Sequence, residues 1–534
     1  MINNIEQFWN VLYQREISSK EELIREIIRV KLTENYILNN LLSNEDEMIW
    51  SDRLYEIMKE STEEEIGYFP GDRDLFKEIF NIGKSIDLQE FAVKTYKNDR
   101  MGTIIAPVHL TNYMVDIIED SEAKSVLITD AEKSLVGLRN VVKSFKNITF
   151  TLTSENKLMY LLLKLIFIQS ENVSVIHQSV YKRLLLKQNL DLILCLPTFG
   201  MKFDVEEISN KYMTRESEGI AVENLLELID EKGMIYIIVP ARLTFSGGSF
   251  ERLRNYITSE YSIKSIYTLP EGTFRPYTGI KTYMLGITNK TVQQIKLGNL
   301  ELDNEEFILT DEKEISINDF NKYSDWRVEL FLSENQDEVQ KFKTSKTEKV
   351  KLKDVAEIFR GKSIMKKDIQ PGKIHVLNIS NIEDGQIIYD DMDTIDEEER
   401  KIKRYELLEK DLVITCRGTI NKVAVYEGSN KAIIASANII VIRFKGDILS
   451  DYVKIFLESP IGTTIIRSFQ RGTTVMNINP KDIGEMEIPI ALLDKQEQIV
   501  KQYIKERELY VETIRNAERR WISHKTEIYE KLLK

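Results

Sequence analysis

The chain has 534 residues, 42% apolar and 30% charged, with a formal net charge of −13 and two cysteines, Cys195 and Cys416. That composition excludes a disulfide-stapled secreted domain and a disordered polyelectrolyte. No apolar run reaches about 18 residues, so no helix is expected to span a membrane. Four scattered histidines give no zinc-ligand spacing, so no metal is expected. The opening MINNIEQFWN lacks a basic and then apolar leader, and a reducing cytoplasm is the expected setting.

Residues 1–95 read as a helical N-terminal domain. KEELIREIIRVKLTENYILNNLL repeats apolar residues at helical spacing, Ser18-Ser19 before Glu21 and Glu22 marks a helix start, and FPGDRDLF breaks the pattern. From about residue 96 to 300, short apolar runs alternate with helical segments: KSVLITDA, NITFTLTS, NVSVIHQSV, DLILCLP, GMIYIIVP, SIKSIYTLP and KTYMLGITN. Strands spaced by helices predict an α/β domain with a mainly parallel sheet. Residues 301–347 are polar and acid-rich and read as a connector. Residues 348–492 are β-rich, an α+β domain, and 493–534 form one long charged helix whose apolar positions only partly keep a heptad.

Charge is unevenly spread. Residues 1–340 carry a net charge of about −17 and the remainder about +4, although the remainder contains the acidic DDMDTIDEEER, Asp390–Arg400. A basic module on an acidic body fits local contact with a polyanion.

Several segments resemble the modification subunit of type I restriction–modification systems, a family of N6-adenine DNA methyltransferases. LPEGTFRPYTGIKTYMLGITN (Leu269–Asn289) is similar to a strand, loop and strand of that family. ENLLELIDEKGMIYIIVPARLTFSG (Glu223–Gly247) is similar to the helix and strand before it, and GTIIAPVHLTNYMVDII (Gly102–Ile118) to a segment that helps hold the cofactor. The resemblance covers roughly residues 1–300 and implies a Rossmann-like, class I methyltransferase fold.

It also implies that the chemistry is degraded. The family's catalytic motif has the form DLILANPPFG, and this chain has DLILCLPTFG, Asp191–Gly200. The motif's Asn falls on Leu196, its prolines on Pro197 and Thr198, and its aromatic on Phe199. An exocyclic adenine amino group is a poor nucleophile, and acceptors on its hydrogens favour attack on the sulfonium methyl group while the aromatic stacks on the flipped base. Leu196 supplies no such acceptor. The family's glycine-rich cofactor loop is ITDAEKSL here: Thr129 and Asp130 are followed by Glu132 and Lys133 at the close-approach positions, with no glycine before Gly137. Side chains where only hydrogen fits are expected to block the cofactor. Glu155 is the candidate remnant of the ribose-binding acid, and Gln178 stands where another acid is expected. No catalytic residue, no S-adenosylmethionine and no other cofactor is therefore expected.

Residues 350–500 resemble a target recognition domain of a type I specificity subunit, through VKLKDVAEIFRGKSIMKKDI, LLEKDLVITCRGTINKVAVYEG and the segment Phe456–Tyr503, which also takes in the start of the spacer helix. RGKSIMKK, CRGTINK and QRGTTV each set a basic residue beside glycine and hydroxyl residues, which suits phosphate and guanine contacts. The expected DNA-binding residues are Arg417, Lys422, Arg471 and Lys362, supported by Thr419, Thr473, Lys366 and Lys367. One recognition domain with one long helix implies pairing through Leu493–Leu533, as a homodimer or with another protein's helix. Alternatively, the helix packs on its own chain.

The leading expectation is a catalytically inactive, sequence-specific subunit that binds double-stranded DNA. It would serve a restriction–modification or related phage-defence complex, beside an active methylase or a restriction subunit. The alternatives are an active adenine-N6 methyltransferase with a divergent site, which would use S-adenosylmethionine, and a DNA-binding regulator or replication factor outside defence.

Overall fold

The computed structural model describes residues 3–40, 47–97, 104–186, 190–204, 212–418, 422–470 and 477–533. The chain divides into two compact units, Met1–Val328 and Glu329–Lys534. Expected positions Thr419, Arg471 and Thr473 lie outside the described residues.

The first unit opens with helices α1 (Asn4–Tyr13), α2 (Lys20–Asn39), α3 (Glu47–Ile66), α4 (Arg73–Gly83) and α5 (Leu88–Tyr96). The start of α2 is a capping box: Ser19 Oγ accepts the Glu22 amide at 3.2 Å, and the Glu22 carboxylate accepts the Ser19 amide at 2.9 Å. Phe8, Ile27, Phe76 and Phe91 fill the space between the helices. Arg29 lies buried among them, ion-paired to Glu26 at 2.7 Å, and donates to Thr62 Oγ1 at 2.8 Å and the Gly67 carbonyl at 2.9 Å. A buried guanidinium is tolerated only with such a partner set.

Helix α6 (Val108–Ser121) leads into an alternation of strands and helices. These are β1 (Ser125–Thr129), α7 (Leu138–Ser144), β2 (Thr149–Ser154), α8 (Lys157–Ile166), β3 (Val173–His177), β4 (Leu190–Cys195), α9 (Ser217–Leu226), β5 (Ile229–Pro240), β6 (Ser262–Thr268), β7 (Thr282–Thr288), β8 (Gln294–Asp303) and β9 (Glu306–Ser316). They form one nine-stranded sheet in the order β3-β2-β1-β4-β5-β7-β6-β8-β9. The first five strands in that order are parallel, and β7 runs antiparallel to both β5 and β6. The central strands are apolar throughout because helices cover both faces of a crossover sheet. The order reverses between β1 and β4, where Thr129 stands opposite Cys195. Outside the carboxyl ends of those two strands is where a sheet of this kind presents a crevice.

The stretch that reads as a connector contains β9, which pairs antiparallel with β8 and closes the sheet's edge. Beyond it, the buried Arg254 donates to the Ser324 carbonyl at 2.7 Å, and Trp326 is fully buried nearby. Helix Gln336–Thr344 follows in the second unit.

The second unit holds a four-stranded antiparallel sheet of Ala356–Arg360, Ile439–Phe444, Leu412–Thr415 and Val423–Val425, in that order. A three-stranded sheet orders Asp393–Ile395, Ile374–Leu377 and Ala432–Ala435. The C-terminal helix, Leu493–Leu532, is 40 residues long, and Gln496 is its one buried residue. That side chain, 1% exposed, accepts the Leu449 amide at 3.0 Å and donates to the carbonyls of Asp447 (3.1 Å) and Ala491 (2.8 Å). Gln496→Ala orphans those groups. It is expected to cost the second unit about 1–3 kcal/mol, read as a lower urea midpoint with helical content unchanged.

Candidate functional site

At the switch point, the segment after β1 does not form a glycine loop. Asp130 takes a left-handed backbone (φ 47°), a single 3₁₀ turn follows at Ala131–Ser134, and the chain re-enters helix through Gly137. Gly137 has φ 117°, and a Cβ there would stand 2.4 Å from Thr111 Oγ1, so this position requires glycine. Glu132 and Lys133 turn inward. Lys133 is 5% exposed, and its ammonium donates to Asp130 Oδ2 at 2.8 Å, the Leu196 carbonyl at 2.9 Å and Thr198 Oγ1 at 3.2 Å. All three N–H bonds are used, and two of them cross from the β1 segment to the β4 segment.

Other groups complete this cluster. The Tyr181 hydroxyl donates to Asp130 at 3.2 Å and accepts the Thr198 amide at 2.7 Å. Ser217 Oγ donates to the Thr198 carbonyl at 2.6 Å, and Glu218 accepts the Gly200 amide at 2.9 Å, so the start of α9 pins the far side. Leu196 and Pro197 are buried. Phe199 packs edge-on against Phe274, ring centres 5.5 Å apart. Burial, and after it the charge of Asp130, pushes the Cys195 thiol up to about 12, which makes it inert as a nucleophile. Glu155 is exposed at the end of β2, its carbonyl 2.9 Å from His177 Nε2.

Glu132 is the odd charge. It is buried beside the Asp130–Lys133 ion pair, and its Oε2 has no hydrogen-bond partner. Burial, then the charge of Asp130, raises its pKa from 4.5 to about 7.

S-adenosylmethionine, which the family resemblance implies, does not fit these residues. The inward cluster stands on the segment that the resemblance aligns with the family's glycine-rich cofactor loop. The neighbouring cavity, lined by Leu110, Met114, Ile128, Leu194, Leu196 and Met284, holds about 30 Å³. Sites for molecules of that size run to about 300–1,000 Å³. Among the described residues no three His, Cys, Asp or Glu side chains gather as a metal site.

A second cluster lies in the second unit, where the roots of three segments meet. Gly361 donates to the Ile439 carbonyl and Lys362 to that of Ala435. A Cβ at Gly361 would lie 2.2 Å from the Ala435 oxygen, so a glycine is required there. The Cys416 amide donates to Asn438, the Ile478 amide to Cys416, and Arg417 bridges to Asn477. Arg417, Lys366 and Lys367 are exposed. Lys362 sits 3.6 Å from Glu397 and 6.0 Å from the Tyr405 ring centre, against which Arg404 also stacks. Lys422 is half-buried and donates to the Ile379 carbonyl at 3.2 Å.

A family model described as N-6 DNA Methylase matches residues 72–358, more than half of the chain. The chain belongs to the N-6 DNA methylase family. A model described as Type I restriction modification DNA specificity domain matches residues 344–504 of this methylase-family chain. The chain is similar to the type I restriction enzyme EcoEI methylase subunit of Escherichia coli, 29% identical over 104 residues. That match spans 19% of this chain and 21% of the relative's length. Among solved structures, the type IIG restriction endonuclease BpuSI aligns over 94% of this chain and 75% of its own, at 12% identity and TM-score 0.44. The type I restriction–modification methyltransferase subunit of Streptococcus thermophilus aligns over 61% and 98%, at 11% identity and TM-score 0.41.

Sequence spacing nominates the segments of both clusters in this N-6 DNA methylase chain but misses Tyr181, Ser217, Glu218, Arg360 and Asn477. No spacing signal marks them, because each acts across tens of residues. The Glu132 carboxyl is easier to protonate in the fold than in the unfolded chain. The resulting stability is complete below about pH 4.5 and is lost as pH rises through about 7. A shift of that size corresponds to about 3 kcal/mol. The thermal midpoint of the first unit is expected to fall between pH 5 and 8, and Glu132→Gln to remove most of that slope.

Proposed function

We propose that this chain is a methyl-transfer-silent, DNA-reading subunit of a restriction–modification or related phage-defence complex. The observation that carries the silence is the Lys133 ammonium, buried and bonded across the segments that the family uses for cofactor and catalysis. An acceptor that would orient an adenine amino group is missing at Leu196, and the Leu196 carbonyl already holds Lys133. DNA reading is supported by the specificity-domain match and by the exposed Arg417 at the junction of Arg360, Cys416 and Asn477.

The proposed division of the chain is a helical domain (1–95), a methyltransferase-like domain (96–300), a connecting region (301–347), a target recognition domain (348–492) and a pairing helix (493–534). Pairing is supported by apolar side chains left exposed on that helix, among them Val511, Ile514, Trp521 (62% exposed), Ile522 and Ile528. The partner is a second copy of the chain or the helix of an active methylase or restriction subunit. A cytoplasmic setting is supported by two free, buried cysteines. Among the described residues no helix is long and apolar enough to cross a membrane.

The purified chain is expected to bind duplex DNA, to give no heat with S-adenosylmethionine in calorimetric titration, and to leave plasmid DNA unmethylated. Cofactor binding at micromolar affinity, or adenine methylation by the chain alone, establishes the divergent active enzyme instead. Ile514→Glu with Trp521→Glu is expected to remove the partner, read by sedimentation of the purified chain and by pull-down at native expression. The thermal midpoint of the second unit should stay unchanged.

A further inference from the structure

We propose that Arg360 is a positioning residue that fixes where Lys362 and Arg417 stand, and thereby sets which base sequence the domain discriminates. This rests on the DNA-reading function proposed above. Arg360 closes strand Ala356–Arg360, and one nitrogen of its guanidinium, Nη2, offers its two N–H bonds to three acceptors within hydrogen-bond distance. They are Asn477 Oδ1 at 2.5 Å, the Ile478 carbonyl at 3.0 Å and Cys416 Sγ at 3.3 Å. The first two lie 117 and 118 residues along the chain and the third 56. Asn477 is the bridge partner of Arg417, and Lys362 is two residues beyond Arg360. One planar group thus references both candidate contacts to the same point.

None of the three acceptors is a carboxylate, so the guanidinium's charge is not neutralised by them. Arg360 Nε is buried with no partner, as is Ser436 Oγ on the segment that bridges to Lys362. Buried orphans are costly, and they are held where geometry over-determines them. A lysine places one flexible point charge and does not fix its donor direction as the rigid guanidinium plane fixes Nη2.

The test uses the full chain. Bound DNA is enriched from a random-sequence duplex pool and sequenced, and affinities for the enriched and an unselected duplex are compared across salt concentrations. Arg360→Met is expected to lower the ratio of the two affinities by about tenfold, the scale of one misread base pair. Affinity for the unselected duplex should stay within about twofold, with the salt slope unchanged. Arg360→Lys should recover only part of the ratio.

Asn477→Ala removes an acceptor and no charge. It should lose discrimination in the same way, and it keeps the test decisive if Arg360→Met does not fold. Equal loss for both duplexes, with a salt slope lower by about one, would put Arg360 on a phosphate and overturn the positioning role. Equal loss with a collapsed thermal midpoint in both variants makes the role merely structural and overturns it too. If the wild type enriches a site and both variants keep its ratio, the inference fails alone. If the wild type enriches nothing, the DNA reading fails and the inference with it.

Discussion

The ammonium of Lys133 is the interaction on which the sheet's open end depends. A lysine is among the least tolerable side chains to bury, because its charge loses water on every side. It is held here because three acceptors meet its three N–H bonds, one of them a carboxylate. The strand register makes this meeting available: Thr129 opposite Cys195 brings the two following segments side by side, so a four-carbon stem reaches from one to the other. Removing the ammonium would leave Asp130 unpaired inside the fold, a change typically costing about 3–5 kcal/mol.

A class I methyltransferase with a glycine loop holds this region with backbone and gains stability from bound cofactor by mass action. In this chain the same region is closed by covalently attached groups. Tyr181 joins Asp130 to the Thr198 amide, and Ser217 and Glu218 grip the segment from α9. Its shape is held by the chain's own hydrogen bonds. The residual tension is electrostatic: Glu132 is buried beside the Asp130–Lys133 ion pair, and it relieves that tension by keeping its proton up to about neutral pH.

Much of the first unit was legible because its signals are local. The Ser19–Glu22 box, the alternation of apolar runs with helices, and the Leu269–Asn289 segment all declare themselves within about twenty residues. The segment that resembles the family's cofactor loop was legible by Glu132 and Lys133 standing where that family has glycine, and an obstruction was the expectation. That the obstruction turns inward and bonds 63 residues away was not, because the contact belongs to strand register rather than to spacing. Residues 301–316 misled for another reason. β9 is an edge strand with one partner, so its outer positions carry Glu306, Glu312 and Glu314 and its apolar alternation is faint. Arg360 was silent as well: RGK reads as a basic turn, whereas its guanidinium is spent on the chain itself.

That last contrast bears on how basic residues divide their work. Within one unit, Arg360 is bonded to groups of its own chain, Lys422 is half-buried on a carbonyl, and Arg417 is exposed. Counting positive charge along the sequence treats these alike. Nonspecific attachment to DNA scales with the number of phosphates neutralised, and with residues 1–340 at about −17 most of this chain repels that polyanion. A net-acidic chain gains little from long-range attraction to a polyanion. Base contacts carry sequence information only when side chains are placed exactly, which phosphate contacts alone do not require. In such a protein the tied arginine matters as much as the free one, because the placement of the free one is what the tied one supplies.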